Sequence, residues 1–214
     1  MIPLIVHQTW RTNKLPNVFQ NIYDKNKELN PEFEFKTWNH ENENSDMDQL
    51  IKTEFSDIYH IYNRCKFGVQ KADIARLAIL YKYGGVYFDL DILCLKPLKD
   101  LLDFNNEYAY FALEPKEQTM KILNNDNVLC NAFIASVPNN PLFKLALDSI
   151  KSHFIKNGDA ILNVFNFFGA DLVTNIIAKN NIKCNFINRK LIYPINDPKF
   201  KDLSCSKNDW QMLK

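Results

Sequence analysis

The segment 69–83 constrains the fold more than any other. Ile74, Ala75, Leu77, Ala78, Ile79, Leu80 and Tyr81 put apolar side chains on nearly every face of a helix, and a helix that is apolar all round has to be covered on several sides. Gly84-Gly85 follows and supplies the left-handed residues that commonly stop a helix. Inside the segment sit Asp73 and Arg76. Three residues apart, they project on one face and can touch, and charges in such surroundings need partners or a ligand. Taken alone, the pair reads equally well as a structural ion pair and as part of a binding site.

The flanking pattern is that of an α/β sheet. Residues 4–7 form a short apolar run that suits a buried strand, Pro16, Phe19, Ile22 and Tyr23 open a helix ending near Asn30-Pro31, and 33–38 alternates with period two. Strand, helix, strand is the opening of a sheet with a parallel crossover. Residues 39–46 read as a loop, 47–55 and 56–65 as short helices, and 86–93 as the next strand. Further strands are expected at 108–113, 128–137 and 184–187, with helices at 141–155 and 171–179. A chain of 214 residues fits one domain. Its apolar share of 46% and charged share of 24% are those of an ordinary core-forming protein.

Charge and cysteine usage exclude several classes. A formal charge of +1 leaves no basic excess for neutralising phosphates, so non-specific nucleic-acid binding is not expected. Five widely spaced cysteines without a C-x-x-C pair suggest neither a disulfide framework nor a zinc site. The N-terminal run lacks a basic n-region and is interrupted by His7-Gln8, well short of a secretory signal or a membrane span. A soluble, cytoplasmic protein is the expectation.

Read as a strand, 86–93 carries Asp89 and Asp91 at i and i+2, on one face and with stems roughly 6–7 Å apart. A hard divalent cation and its waters can bridge such a span through oxygen ligands. A bare D-x-D is equally an exposed strand edge whose outward residues are Tyr87, Asp89 and Asp91. The ordered series says more: an apolar strand ending in His7-Gln8-Thr9-Trp10, then Lys71-Ala72-Asp73-Ile74-Ala75-Arg76, then Tyr83-Gly84-Gly85-Val86-Tyr87, then Asp89-Leu90-Asp91. This series resembles the D-x-D sugar transferases of glycosyltransferase family 32, the group that includes the yeast initiating α-1,6-mannosyltransferase, and more distantly the clostridial glucosylating toxins. The likeness runs from Ile2 to about Pro97, and more loosely through Asn131-Ala132-Phe133, Asn140-Pro141 and Tyr193-Pro194.

The resemblance implies a single-domain GT-A fold, with a Rossmann-like donor-binding half at about 1–97 and an acceptor-side half and tail at about 98–214. It implies a retaining sugar transfer from a nucleotide-sugar donor, a UDP-sugar before GDP-mannose, to a glycan or other hydroxyl acceptor, with manganese or magnesium as cofactor. Asp91 would then ligate the metal and Asp89 would contact the donor ribose or a metal-bound water. Asp73 would bind donor-sugar hydroxyls and Arg76 would be the donor-side cation. His7, Gln8, Thr9, Trp10, Tyr87 and Asn131 would lie along the donor, Trp10 either stacking on the base or packing in the core. Near the end, Asn208 would supply an amide oxygen to the metal and Trp210 an indole N–H to the β-phosphate.

Two departures stand out. Many members carry Gly-Pro near the helix that here begins Phe167-Phe168-Gly169-Ala170-Asp171, and many end in a histidine followed by Ser-Trp where this chain has Ser204-Cys205-Ser206-Lys207-Asn208-Asp209-Trp210. His40, His60 and His153 lie outside every motif and read as surface or packing residues. The alternatives are a metal-dependent nucleotide hydrolase, which usually wants more acidic ligands to hold two metals, and a nucleotide-sugar-binding or lectin-like module without turnover.

Overall fold

Strand β1 (Ile5–Trp10) pairs in parallel with β2 (Glu34–Asn39), and helix α1 (Asn17–Leu29) makes the crossover between them. The computed structural model describes residues 1–113, 129–163 and 168–187. Phe167, Tyr193-Pro194, Cys205, Asn208 and Trp210 lie outside the described residues.

Helices α2 (Asp46–Glu54), α3 (Ser56–Arg64) and α4 (Gly68–Tyr83) lead into β3 (Gly85–Phe88), which pairs in parallel with the other side of β1. A one-turn helix, α5 (Leu98–Leu101), precedes β4 (Tyr110–Leu113). Strand β5 (Leu129–Ser136), α6 (Pro141–Asn157), a 3₁₀ stretch (Gly158–Asn163), α7 (Ala170–Asn180) and β6 (Asn185–Ile187) complete the described chain. The sheet order is β2-β1-β3-β5-β4-β6, with β5 antiparallel to both of its neighbours and the other pairings parallel.

Alternation along the strands builds a core on each face. Tyr87, Phe111 and Ile134 point into one cluster with residues of α2, α3, α4, α6 and α7. Val86, Phe88, Tyr110, Phe133 and Ala135 point into the other, with Val6, Leu98 and Leu29. Helix α4 is the most enclosed element, its residues from Asp73 to Leu80 being buried without a break, as an apolar surface on every side requires. Its N-terminus is closed by Gln70, whose Oε1 accepts from the backbone N–H groups of Lys66 (3.1 Å) and Phe67 (3.2 Å). At its other end Gly84 takes φ +64° and Gly85 φ +87°, conformations that favour glycine.

One strand expectation is corrected. Strand β3 ends at Phe88 and does not run to residue 93. The Asp89 N–H makes a last ladder bond to the Ala132 carbonyl at 2.9 Å, and the Ile92 N–H then folds back to the Asp89 carbonyl at 3.0 Å, closing a turn over Leu90 and Asp91. Asp89 and Asp91 therefore do not share a face by strand pleat. A turn of the chain brings them to one cleft.

Candidate active site

The parallel strands β1 and β3 end side by side at Trp10 and Phe88, and crevices at the carboxyl ends of such strands are where α/β sheets bind ligands. A cleft of about 510 Å³ opens there, lined by Thr9, Trp10, Arg11 and Phe19 from β1, α1 and the segment joining them, and by Arg76, Asp89, Leu90 and Asp91 from α4 and the turn after β3. His40, Gly68, Val69 and Ala72 form the remaining wall.

Beneath the cleft, the residues of the β1 motif divide by pleat. His7 is fully buried. Its Nδ1 accepts from the Trp38 indole N–H at 3.1 Å, and because an indole N–H only donates, the proton of the neutral ring sits on Nε2, which donates to the Gly84 carbonyl at 3.1 Å. Burial is the main reason that the His7 pKa is lowered to about 4, partly offset by that backbone bond. His7 thus ties β1 to the glycine turn that launches β3. Gln8 is buried on the opposite face, and neither its Oε1 nor its Nε2 has a hydrogen-bond partner among the described residues. Trp10 is half-buried at the cleft wall, edge-on to Phe19 (ring centroids 5.1 Å apart), with the Arg11 guanidinium 5.8 Å from its centroid.

Thr9, Tyr87 and Asp89 form a chain. The Tyr87 hydroxyl donates to Asp89 Oδ1 at 2.8 Å, and Thr9 Oγ1 lies 2.9 Å from the same phenol oxygen, where it can donate in turn. Tyr87 is fully buried, so it reaches the cleft only through these two neighbours. The Arg76 guanidinium lies over its ring at 4.7 Å.

Arg76 is the hub. Its Nη2 is 3.1 Å from Asp73 Oδ1 and 3.6 Å from Asp89 Oδ1, and its Nη1 donates to the Asn131 carbonyl. Among the described residues the Nε of this buried side chain has no hydrogen-bond partner. Desolvation opposes its charge, but the charge interactions with the Tyr87 phenol, Asp89 and Asp73 together prevail and raise its pKa, so it is always charged. Asn131 closes the ring from β5, its Nδ2 donating to Asp73 Oδ1 at 2.9 Å. Burial pushes the Asp73 carboxyl up to about 6 against the pull of Arg76. Asp91 has an exposed outer edge, yet the protein packed around it, and then the Asp89 charge, also push its carboxyl up to about 6.

Helix, turn and antiparallel strand so bring Asp73, Arg76, Asp89 and Asn131 into direct contact, with Asp91 at the same cleft. The histidine outside every motif, His40, proves to belong to the cleft wall. Its position just after β2 was the signal available in sequence. Among the described residues no group of three or more His, Cys, Asp or Glu side chains could hold a metal ion. Two hard carboxylates at an open cleft suit manganese or magnesium when ligand phosphate oxygens and water complete the shell.

The sequence pattern of the glycosyltransferase sugar-binding region containing a DXD motif matches residues 16–112. An uncharacterized glycosyltransferase of Acanthamoeba polyphaga mimivirus is 30% identical over 213 residues, covering 96% of this chain and 77% of that protein. Inositol phosphoceramide mannosyltransferase 3 of Schizosaccharomyces pombe is 36% identical over 103 residues, covering 48% of this chain and 28% of that one. A mannosyl phosphorylinositol ceramide synthase of Saccharomyces cerevisiae is 31% identical over 153 residues, 72% of this chain and 36% of the yeast protein. The chain spans only about a third of these yeast relatives. Among solved structures, the PaToxG glycosyltransferase superposes with a TM-score of 0.60 at 18% identity, covering 84% of this chain and 69% of that one. The UDP-bound glycosyltransferase domain of the YGT toxin superposes with a TM-score of 0.59 at 12% identity, covering 99% and 88%.

The fold is that of the GT-A glycosyltransferases. The chain belongs to glycosyltransferase family 32, the D-x-D sugar-binding transferases. No helix among the described residues is long and apolar enough to cross a membrane.

Proposed function

We propose that this protein transfers a sugar, with retention of anomeric configuration and with a divalent cation, from a nucleotide-sugar donor to a hydroxyl acceptor. The observation that carries the reading is the convergence on one cleft of Asp89, Asp91, Arg76 and Trp10. The names of the yeast relatives favour a mannosyl nucleotide over the UDP-sugar expected from sequence. They also favour a polar-lipid headgroup as the hydroxyl acceptor.

Asp91 and Asp89 would hold manganese or magnesium, which supplies charge neutralisation for the departing diphosphate. Asp89 is oriented for this by the Tyr87 hydroxyl, and Arg76 keeps Asp73 and Asp89 at fixed separation. Trp10 would stack on the base, beside Thr9 and Arg11. Asp73 accepts from a hydroxyl of the donor sugar, steadied by Asn131. The bond from the anomeric carbon to the β-phosphate oxygen breaks. The acceptor oxygen then bonds to that carbon on the same face, and its proton passes to the leaving phosphate. Asn208 and Trp210 would close over the diphosphate; removal of residues 208–214 tests that part separately.

The experiment is a donor panel with and without manganese, with product linkage read from proton NMR coupling at the anomeric position. Metal-dependent transfer with a retained anomer is expected. Inversion would refute the same-face step, and donor hydrolysis with no transfer to any hydroxyl acceptor would return the protein to the hydrolases.

A further inference from the structure

Gly169 precedes α7 at its N-cap, and the usual reasons for glycine do not explain it. Its φ of −90° lies outside the left-handed region, and it makes no side-chain cap, a task that Ser, Asp or Asn performs better at this position. What singles it out is its neighbours. A methyl group on Gly169 would stand 3.0 Å from Asn131 Nδ2 and 3.2 Å from Asp73 Oδ2.

Asp73 uses its two oxygens unequally. Arg76 and Asn131 both engage Oδ1, and among the described residues no hydrogen bond reaches Oδ2. An ionised carboxylate accepts through both oxygens. Asp73 is only 4% exposed, and its one bare oxygen faces the space that the missing Gly169 side chain leaves. Arg76, which lines the cleft, touches both Asp73 and Asp89, so this corner lies one side chain away from the carboxylate end of the cleft.

We infer that Gly169 determines donor specificity: its lack of a side chain leaves room for a donor-sugar hydroxyl to reach Asp73 Oδ2, and any side chain here closes that position. The inference rests on the sugar-donor reading of the cleft. Gly169 itself would make no polar contact, so its effect is one of space and falls on the sugar rather than on the nucleotide.

Binding separates the two levels. For the wild type, Gly169→Ala and Gly169→Ser, calorimetry in manganese gives the affinity for a nucleoside diphosphate, for the corresponding nucleotide hexose, and for donors each lacking one ring hydroxyl. Thermal melting confirms folding. The expected result is that Gly169→Ala binds the nucleoside diphosphate within about twofold of wild type and loses roughly 10–100-fold on the nucleotide hexose, the range that pocket fit commands. That loss shrinks for the one deoxy donor whose missing hydroxyl matters most to the wild type. An unchanged hexose affinity, an equal loss on every donor, or a parallel loss of nucleoside diphosphate binding would overturn the inference. A wild type that binds nucleotide hexose without transferring it would count against the transfer reading while leaving this comparison intact.

Discussion

The hydroxyl of Tyr87 and the carboxylate of Asp89 meet at 2.8 Å, and this bond joins the interior of the sheet to the mouth of the cleft. Asp89 stands at the point where β3 gives way to a turn, so without that bond its side chain has, among the described residues, the 3.6 Å approach of Arg76 to fix it. Tyr87→Phe keeps the ring under Arg76 and removes only the oxygen. Turnover is expected to fall about tenfold, corresponding to ~1.4 kcal/mol of lost orientation, with a stability loss of about 1 kcal/mol for the broken bonds. Steady-state rates and urea melts of the variant measure the two effects; an unchanged rate would make the bond purely structural.

Asp91 lies beyond the strand, where truncation opens no cavity. Asp91→Ala should leave the melting temperature within a degree or two, because like-charge repulsion with Asp89 is relieved. Metal-dependent turnover should drop by about a thousandfold or more, the several kcal/mol that a cation contributes to a departing phosphate. Wild-type rates in saturating manganese would remove Asp91 from the reaction.

The buried His7 makes stability depend on pH in a defined window. Its folded pKa, about 4, lies below the value near 6.5 of an exposed histidine. The unfolded chain therefore binds the proton first as pH falls. The contribution is fully present above about pH 6.5 and is lost progressively down to about pH 4, amounting to about 3 kcal/mol over the window. Denaturant titrations of wild type and His7→Gln between pH 7 and 4 should differ in slope by roughly that amount. Parallel slopes would mean that other groups carry the acid sensitivity.

Gly85 faces two constraints at once. It takes φ +87°, and a Cβ there would lie 2.6 Å from the Ile5 carbonyl oxygen. Gly85→Ala is expected to cost about 3 kcal/mol or more, the sum of a left-handed penalty and a clash with rigid backbone. Gly158→Ala is the control, since it shares the positive φ but meets nothing within 4 Å, and should cost about 1–2 kcal/mol. Equal losses in chemical denaturation would show that steric contact with β1 adds nothing.

Much of this was legible in the sequence because short-range physics decides it. The all-apolar helix around Asp73 and Arg76, the glycine turn after it and the parallel opening pair each follow from periodicity and residue type over a dozen positions. The end of β3 was not legible. No Gly or Pro between Val86 and Leu93 marks an end, and Asp89 and Asp91 alternate with apolar residues as they would along a half-buried strand. The last ladder bond goes from the Asp89 N–H to the carbonyl of Ala132, 43 residues further on. His40 and Gly169 escaped for the same reason. Their neighbours in the site, Gly68 for one and Asp73 with Asn131 for the other, come from remote parts of the chain.

The reversed direction of β5 has a consequence for how such a protein can diversify. Because it runs against β3, its first residues arrive where β3's last residues leave, and Asn131 enters the site from a strand that also begins the second half of the described chain. One strand thereby couples the half that carries Arg76 and Asp89 to whatever follows it. Insertions and exchanges downstream of β5 can reshape the space beside the cleft while the charged hub built by the first half stays in register.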